Sequence, residues 1–444
     1  MSENKGPVSR SKRFARLATM TAQVASNYTR ERVSSVFRNE EANEQARQAT
    51  NLANGELIAK TLGDLKGAVM KIGQMASAGS DLLPKELSEP LKALQKDAPP
   101  MPYEVIAEQI ERELGQPPEL LFKSFEKEPF ASASIGQVHR AVTDDGRDVV
   151  VKVQYPGVDE ACDSDLKQLK FVLKLTGINR NHRRAFDALF EEISDRLHEE
   201  LDYCNEADNV RLFAELHKDD DYIVVPQVVG ERSSQRVLTL TFEGGDRLEE
   251  LAAYPQETRD QIGERLYRMS LSQIFRHRAV HADPNPGNYA FRPDGTIVLY
   301  DFGCVKHVSE DVARDFADII AAGMNEDYDA MEDAMVRIGA RQVDGPPVPQ
   351  DFYVAWREDM MTPCVKEHIY DFASADLHER APKRLRASIK YINSFQPPVQ
   401  IAYLNRVVGG YYDHLRTFTP RVPWRDLVAD YVFEVSSLER KTAW

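Results

Sequence analysis

The sequence predicts an α+β fold in two lobes, a small strand-rich lobe followed by a helical one, with a helical extension ahead of both. Three observations carry the prediction. Two β-rich runs, Ile135 to Val142 and Asp148 to Tyr155, flank the turn Thr143-Asp-Asp-Gly-Arg147, the pattern of a hairpin. Upstream of it, apolar residues recur at helical steps between proline-marked breaks. Downstream of Gly244-Gly245 the pattern is helical, apart from a Pro/Gly-rich loop and short strands that hold two acids.

Residues 1–40 read as a basic arm. Up to residue 38 it holds eight basic and two acidic residues, a net +6, with Phe14, Leu17, Met20, Val24 and Tyr28 at helical steps. A basic amphipathic helix suits an anionic membrane surface; the plain alternative is an arm packed on its own protein. Residues 41–118 form the helical extension. Ile58, Leu62, Leu65, Val69 and Ile72 give a helix over 56–80, on which Lys71 and Gln74 share a face, and a second helix spans 102–114 and stops at Gly115. Residues 119–245 are the strand-rich lobe: the hairpin, a long helical region at 164–216 broken near 177–182, and strands at 222–229 and 235–242. Residues 246–444 are the helical lobe.

A chain of 444 residues with 42% hydrophobic and 29% charged residues has ample core for such a fold. The net charge of −15 excludes nucleic acid as a main partner. The four cysteines lack metal-ligand spacing and read as reduced thiols. No apolar run reaches the ~18 residues of a spanning helix, and no signal peptide is visible. The expectation is a cytoplasmic protein with peripheral membrane contact through the arm.

The chemistry concentrates in His281-Ala-Asp283-Pro-Asn285-Pro-Gly287-Asn288 and Asp301-Phe302-Gly303. Mg²⁺ takes hard oxygen ligands. A carboxylate and an amide can clamp it against the phosphates of a nucleotide while a second carboxylate positions the attacking group. The spacings Asp283 to Asn288 and Asp283 to Asp301 fit that set, with strand-like Thr296 to Tyr300 leading into the second acid. The alternative is a Pro/Gly-rich loop with an Asp cap.

Lys152 lies inside an apolar strand, where a lysine is costly to bury without a partner. In a kinase-like site it holds the α- and β-phosphates and pairs with a helix glutamate; otherwise it is an outward lysine on an alternating strand. Periodicity alone does not choose its partner among Glu199, Glu200, Asp202 and Glu206. The segment Ala131-Ser132-Ala133-Ser134-Ile135-Gly136-Gln137-Val138 stands where a kinase has its glycine-rich phosphate loop. Small side chains let backbone N–H groups approach phosphate, but Ala and Ser make a stiffer loop than Gly.

Together these residues resemble the UbiB family of atypical protein-kinase-like proteins, also called AarF or ADCK. The marks are Lys71-Ile-Gly73-Gln74, the Ala131–Ser134 loop, Glu200-Leu-Asp202, Glu206 and His281-Ala-Asp283-Pro, over about residues 56–305. The resemblance implies a two-lobed protein-kinase-like fold whose extension lies across the cleft, bringing Lys71 and Gln74 to the nucleotide site. It implies that Glu206 pairs with Lys152, that Asp283 is the catalytic acid, and that Asn288 and Asp301 hold Mg²⁺. Adenine is expected at the hinge segment 238–245, read mostly by backbone groups, with Leu240 and Phe242 as contacts.

The Lys71 motif is expected to meet Glu200 and Asp202; these lie about 200° apart on a regular helix, so the helix must bend or end there. The implied cofactors are Mg²⁺ with ATP or ADP. The implied activity is that of an atypical kinase or ATPase linked to isoprenoid-quinone (ubiquinone) biosynthesis, acting on a small or lipid-like acceptor or on water. A non-catalytic nucleotide-sensing scaffold and a small-molecule phosphotransferase are the competing functions. Asn285 and Thr241 depart from the family's usual histidine and acid, and the spanning C-terminal helices of some bacterial members are not evident.

Overall fold

The computed structural model describes residues 10–35, 40–63, 100–132, 135–159, 162, 166–167, 170–171, 174, 183–365, 369–391, 393–396 and 399–441. Lys71, Gln74, Ala133 and Ser134 lie outside the described residues. The chain divides into two units, residues 1–208 with 227–242, and residues 209–226 with 243–444.

In the first unit, helices α1 (Arg10–Ser35) and α2 (Glu40–Gly63) pack on each other. Met20, Val24 and Ile58 are buried. Asn27 Nδ2 donates to Asn54 Oδ1 at 2.7 Å and the Tyr28 hydroxyl to Asn51 Oδ1 at 2.8 Å. The described part of the arm's apolar stripe is thus spent inside the protein. Helix α3 (Tyr103–Leu114) ends as expected at Gly115, whose φ of 78° is the left-handed cap that glycine adopts without strain.

Strands β1 (Ser124–Phe125), β2 (Ala131–Ser132), β3 (Gly136–Val142), β4 (Asp148–Gln154) and β6 (Val237–Thr241) form one antiparallel sheet, β3 and β4 being the predicted hairpin. Alternation in β4 decides its faces. Val149, Val151 and Val153 are fully buried toward the side where α3 contributes Ile106 and Ile110. Val150 and Lys152 leave by the other side.

The predicted long helical region is interrupted at Leu201 and Asp202, and its expected break near 177–182 lies outside the described residues. Described helices there are α4 (Arg183–Glu200) and α5 (Tyr203–Leu216), and the boundary between the units falls within α5. The expected strand 222–229 is instead the two-residue β5 (Ile223–Val224), part of the second unit, before Pro226 removes a ladder donor. Val228 forms a separate bridge to Leu240 in the first unit.

The second unit is mainly helical. Its long core helix α6 (Gln256–Phe275) is followed by four three-residue strands: β7 (Ala279–His281), β8 (Tyr289–Phe291), β9 (Ile297–Leu299) and β10 (Val305–His307). β7 pairs with β10, and β9 lies between β5 and β8. Its longer helices further on include α7 (Glu310–Asn325), α8 (Tyr328–Arg337), α9 (Gln350–Met360), α10 (Leu377–Ser388), α11 (Val399–Phe418) and α12 (Trp424–Val435). The sequence signals for two starts are plain: the Ser309 side chain caps α7 through Val312 N, and Asp327 caps α8 through Ala330 N. No described helix is long and apolar enough to cross a membrane.

Candidate functional site

Across the first unit's sheet, Val138, Lys152 and Leu238 stand in register, as do Arg140, Val150 and Leu240. Directly opposed residues share a face. Val138, Lys152 and Leu240, all expected to meet a cofactor, therefore lie on one side of the sheet.

Lys152 Nζ donates to both carboxylate oxygens of Glu206 at 2.9 Å and lies 5.1 Å from the centre of the Tyr203 ring. Asp202 explains how Glu206 arrives there. Its Oδ1 accepts the Cys204 amide at 3.0 Å and starts a new helix at Tyr203. That start is tied to the sheet, with Tyr203 N donating to Gln235 O at 3.1 Å and Gln154 Nε2 to Leu201 O at 2.8 Å. Since α4 ends at Glu200, Glu200 and Asp202 are not constrained to one helical wheel, which meets the geometric condition set by the sequence.

The small-residue loop is a hairpin arm. Ala131 pairs with Val138 and Ser132 with Gln137. Gly136 has a specific reason to be glycine: a Cβ there would lie 2.2 Å from Val153 O. Ile135 is buried, and its carbonyl accepts the Tyr155 amide at 2.9 Å.

Two of the expected contact residues have groups engaged within the protein. The Gln137 side chain lies on the face away from Lys152, where Oε1 accepts Met101 N at 2.9 Å and Nε2 meets His139 Nε2 at 3.0 Å. It is a structural clasp between the sheet and the segment before α3. The Phe242 amide donates to Asp148 O at 2.9 Å, so this backbone donor is committed to the sheet. The Phe242 ring receives the Arg140 guanidinium at 3.7 Å.

In the second unit, two strand pairs set the acids. Asp283 follows β7 and Asp301 follows β9, while Asn288 immediately precedes β8. Ala282 N donates to Cys304 O at 2.9 Å and Tyr300 N to Asn288 O at 2.8 Å, which draws the three residues into one loop cluster. Asn288 is buried, and its Nδ2 donates to Asp283 O at 3.1 Å and to Asp283 Oδ2 at 3.0 Å. The amide nitrogen is thus spent on Asp283, leaving Oδ1 as the metal-type donor. Asp301 is exposed with φ 49°, a left-handed conformation uncommon outside glycine, and its Oδ1 accepts Gly303 N at 3.2 Å. Asn285 Oδ1 accepts Gly287 N at 3.0 Å, so the residue replacing the usual histidine caps the turn before Asn288.

His281 and Phe302 of the motifs, with Asn209, Gly410 and His414 that the sequence did not single out, hold this loop. His281 is fully buried, and its Nε2–H reaches Asp301 O at 2.8 Å and Tyr300 O at 3.1 Å. Phe302 is fully buried beside His281 and Phe213 of α5, and Asn209 Nδ2 donates to Phe302 O at 3.0 Å. From α11, His414 Nε2 donates to Pro284 O at 2.9 Å. At Gly410 a Cβ would fall 2.4 Å from the Pro284 ring, so glycine lets α11 brace the loop. The targets of Asn209 and His414 lie 93 and 130 positions away in sequence, beyond the reach of any local pattern.

Two carboxylates and an amide oxygen are the donor chemistry Mg²⁺ prefers, so these residues fit the implied metal. A profile of the ABC1 atypical kinase-like domain matches residues 93–335, which include both the lysine pair and the acid loop. The chain belongs to the ABC1 atypical kinase-like family.

Among relatives of this ABC1-family chain, the mitochondrial atypical kinase coq-8 of Caenorhabditis elegans is 32% identical over 366 residues, 81% of this chain and 48% of the relative. The chloroplastic Activity of BC1 Complex Kinase 8 of Arabidopsis thaliana is 35% identical over 278 residues, 61% of this chain and 36% of the relative. The chain thus spans about half the length of such relatives or less. The solved structure of the Rv3197–erythromycin complex from Mycobacterium tuberculosis is 30% identical with a TM-score of 0.63, covering 83% of this chain and 93% of that one. The fold is accordingly the kinase-like α+β fold of the ABC1 family, with helices ahead of it.

Proposed function

We propose that this ABC1-family protein is an atypical kinase-like phosphotransferase or ATPase that binds Mg·ATP or Mg·ADP. Lys152, oriented by Glu206, holds the α- and β-phosphates. Asn288 Oδ1 and Asp301 hold Mg²⁺, which when bound neutralises phosphate charge. Asp283, fixed by the Asn288 amide, orients the attacking group. Val138 and Leu240 on the lysine face offer apolar contact to the base, and the backbone of Ala131 to Gly136 the phosphate loop. Lys71 and Gln74 complete the set by family resemblance.

The observation that carries this reading is the Lys152–Glu206 pair. A lysine aimed into a sheet face and held by a buried helix carboxylate is the arrangement a kinase uses for phosphate. The acceptor is a small or lipid-like molecule or water, and the family resemblance links the role to ubiquinone biosynthesis.

The test is sensitive phosphate release from Mg·ATP, with and without lipid-like acceptors. Asp283→Asn should lower turnover by a factor of about a hundred or more, as loss of a positioned catalytic carboxylate does. Equal release from wild type and variant would overturn the catalytic assignment and leave a nucleotide-binding scaffold.

A further inference from the structure

Away from the acid loop, His217, Asp220 and His277 converge in the second unit, with one ligand atom from each within 4.8 Å of the others. Their positions in the chain explain the meeting. His217 is the first residue past α5 and His277 the second past α6, so both sit at helix C-termini. His217 N donates to Phe213 O at 3.0 Å and His277 N to Ser272 O at 2.9 Å, continuing the two helical ladders. The negative ends of both helix dipoles therefore point to the cluster, which favours a cation. The His217 and His277 rings meet edge-on at 5.2 Å. His217 is buried while Asp220 and His277 are half-buried, so the cluster opens to solvent on one side.

The hydrogen bonds fix the tautomer of His217. Gln273 Oε1 accepts the His281 amide at 3.1 Å, which turns Gln273 Nε2 toward His217 Nε2 at 3.5 Å. An amide donor there requires a bare Nε2. The His217 proton is therefore on Nδ1, which donates to Asp220 Oδ2 at 2.8 Å. The neighbouring cations are engaged elsewhere: Arg276 with Glu434 at 2.8 Å and the Tyr431 ring, Lys218 with Glu215 at 2.6 Å.

We propose that His217, Asp220 and His277 bind a divalent transition-metal ion of the Zn²⁺ class, with a coordination position left for water. Two ring nitrogens and one carboxylate are a donor set for zinc, unlike the all-oxygen set of the acid loop. Gln273 must turn whichever nitrogen of His217 binds. At Nε2 the ion displaces it; at Nδ1 the imidazole proton moves to Nε2 and faces the amide donor. Because Gln273 also holds the His281 amide, occupancy is coupled to the loop that carries Asp283.

The experiment is titration of the full chain with Co²⁺ alone, read by visible absorption, followed by displacement with Zn²⁺. One equivalent should give the intense spectrum of a four-coordinate ion, which Zn²⁺ bleaches. His277→Asn and the near-isosteric Asp220→Asn should each weaken binding about tenfold or more, with unchanged far-UV circular dichroism. Asp301→Asn should leave the spectrum intact. Absence of stoichiometric binding overturns the proposal, as does affinity unchanged in both cluster variants. A signal lost in Asp301→Asn but kept in His277→Asn places the ion on the acid loop and also overturns it. None of these outcomes bears on whether nucleotide binds.

Discussion

Lys152 Nζ sits 2.9 Å from each carboxylate oxygen of Glu206, with 15% and 3% of the two side chains exposed. A pair this sheltered has lost most of its hydration on both sides. Removing one partner of a buried ion pair costs about 3–5 kcal/mol, whereas replacing both by apolar groups is often neutral. Glu206→Gln and Lys152→Met should each lower the unfolding free energy measured in urea by an amount in that range, and Lys152→Met with Glu206→Leu should cost less than either alone. Additive losses in this cycle would mean the two side chains do not act as a pair.

Asp301 separates metal binding from folding. Its φ of 49° disfavours most side chains, but asparagine enters the left-handed region as readily as aspartate. Asp301→Asn should therefore melt like wild type without ligand and lose the stabilisation given by Mg·ATP. In wild type that gain is about 2.7 kcal/mol when free ligand is a hundred times its dissociation constant. A ligand-induced shift that survives in the variant removes Asp301 from the metal set.

The contrast between these two centres shows what the sequence could carry. The Asp283, Asn288 and Asp301 spacings were legible because one short loop and one strand hairpin contain them. The hairpin of β3 and β4 was legible because Val149, Val151 and Val153 alternate with outward residues around an Asp-Gly turn. The choice of Glu206 over Glu199, Glu200 and Asp202 was not open to periodicity. It depends on the Asp202 cap that ends one helix and starts another, a break that no apolar stripe records. The 222–229 stretch has strand composition, yet Pro226 divides it and its halves pair with strands of different units. The His217–His277 cluster joins two helix ends sixty residues apart, and only the His217-x-x-Asp220 spacing hinted at it.

His139 gives a pH dependence with a defined sign. It is fully buried, Nδ1–H donates to Glu126 O at 2.8 Å, and the bare Nε2 faces the Gln137 amide at 3.0 Å. Burial is the main reason its pKa lies below the ordinary 6.5; the Glu126 carbonyl and nearby acids oppose the shift without cancelling it. The unfolded chain then takes up the proton at a higher pH than the folded one. The stabilisation is complete above 6.5 and is lost as pH falls from there through the folded value. His139→Gln should flatten the stability–pH curve in that window by up to about 1.4 kcal/mol per pH unit. An unchanged slope would show that His139 does not titrate on unfolding.

The N-terminal helix supplies the last test, because its two faces do different things. Met20 and Val24 are buried, and Asn27 and Tyr28 bond to α2, so this face belongs to the protein interior. Arg16 and Arg30 are exposed, and the first 38 residues carry a net +6. Through the described face of this helix membrane contact is electrostatic rather than insertional, at about 1 kcal/mol for each basic residue near an anionic surface. Deleting residues 1–38 should lower the melting temperature by exposing Ile58, and should abolish cosedimentation with vesicles rich in phosphatidylserine. Wild-type cosedimentation should fade with added salt, as screening at these distances requires. Salt-insensitive binding, or binding that survives the deletion, would assign lipid contact to another surface and leave α1 as a purely structural brace on α2.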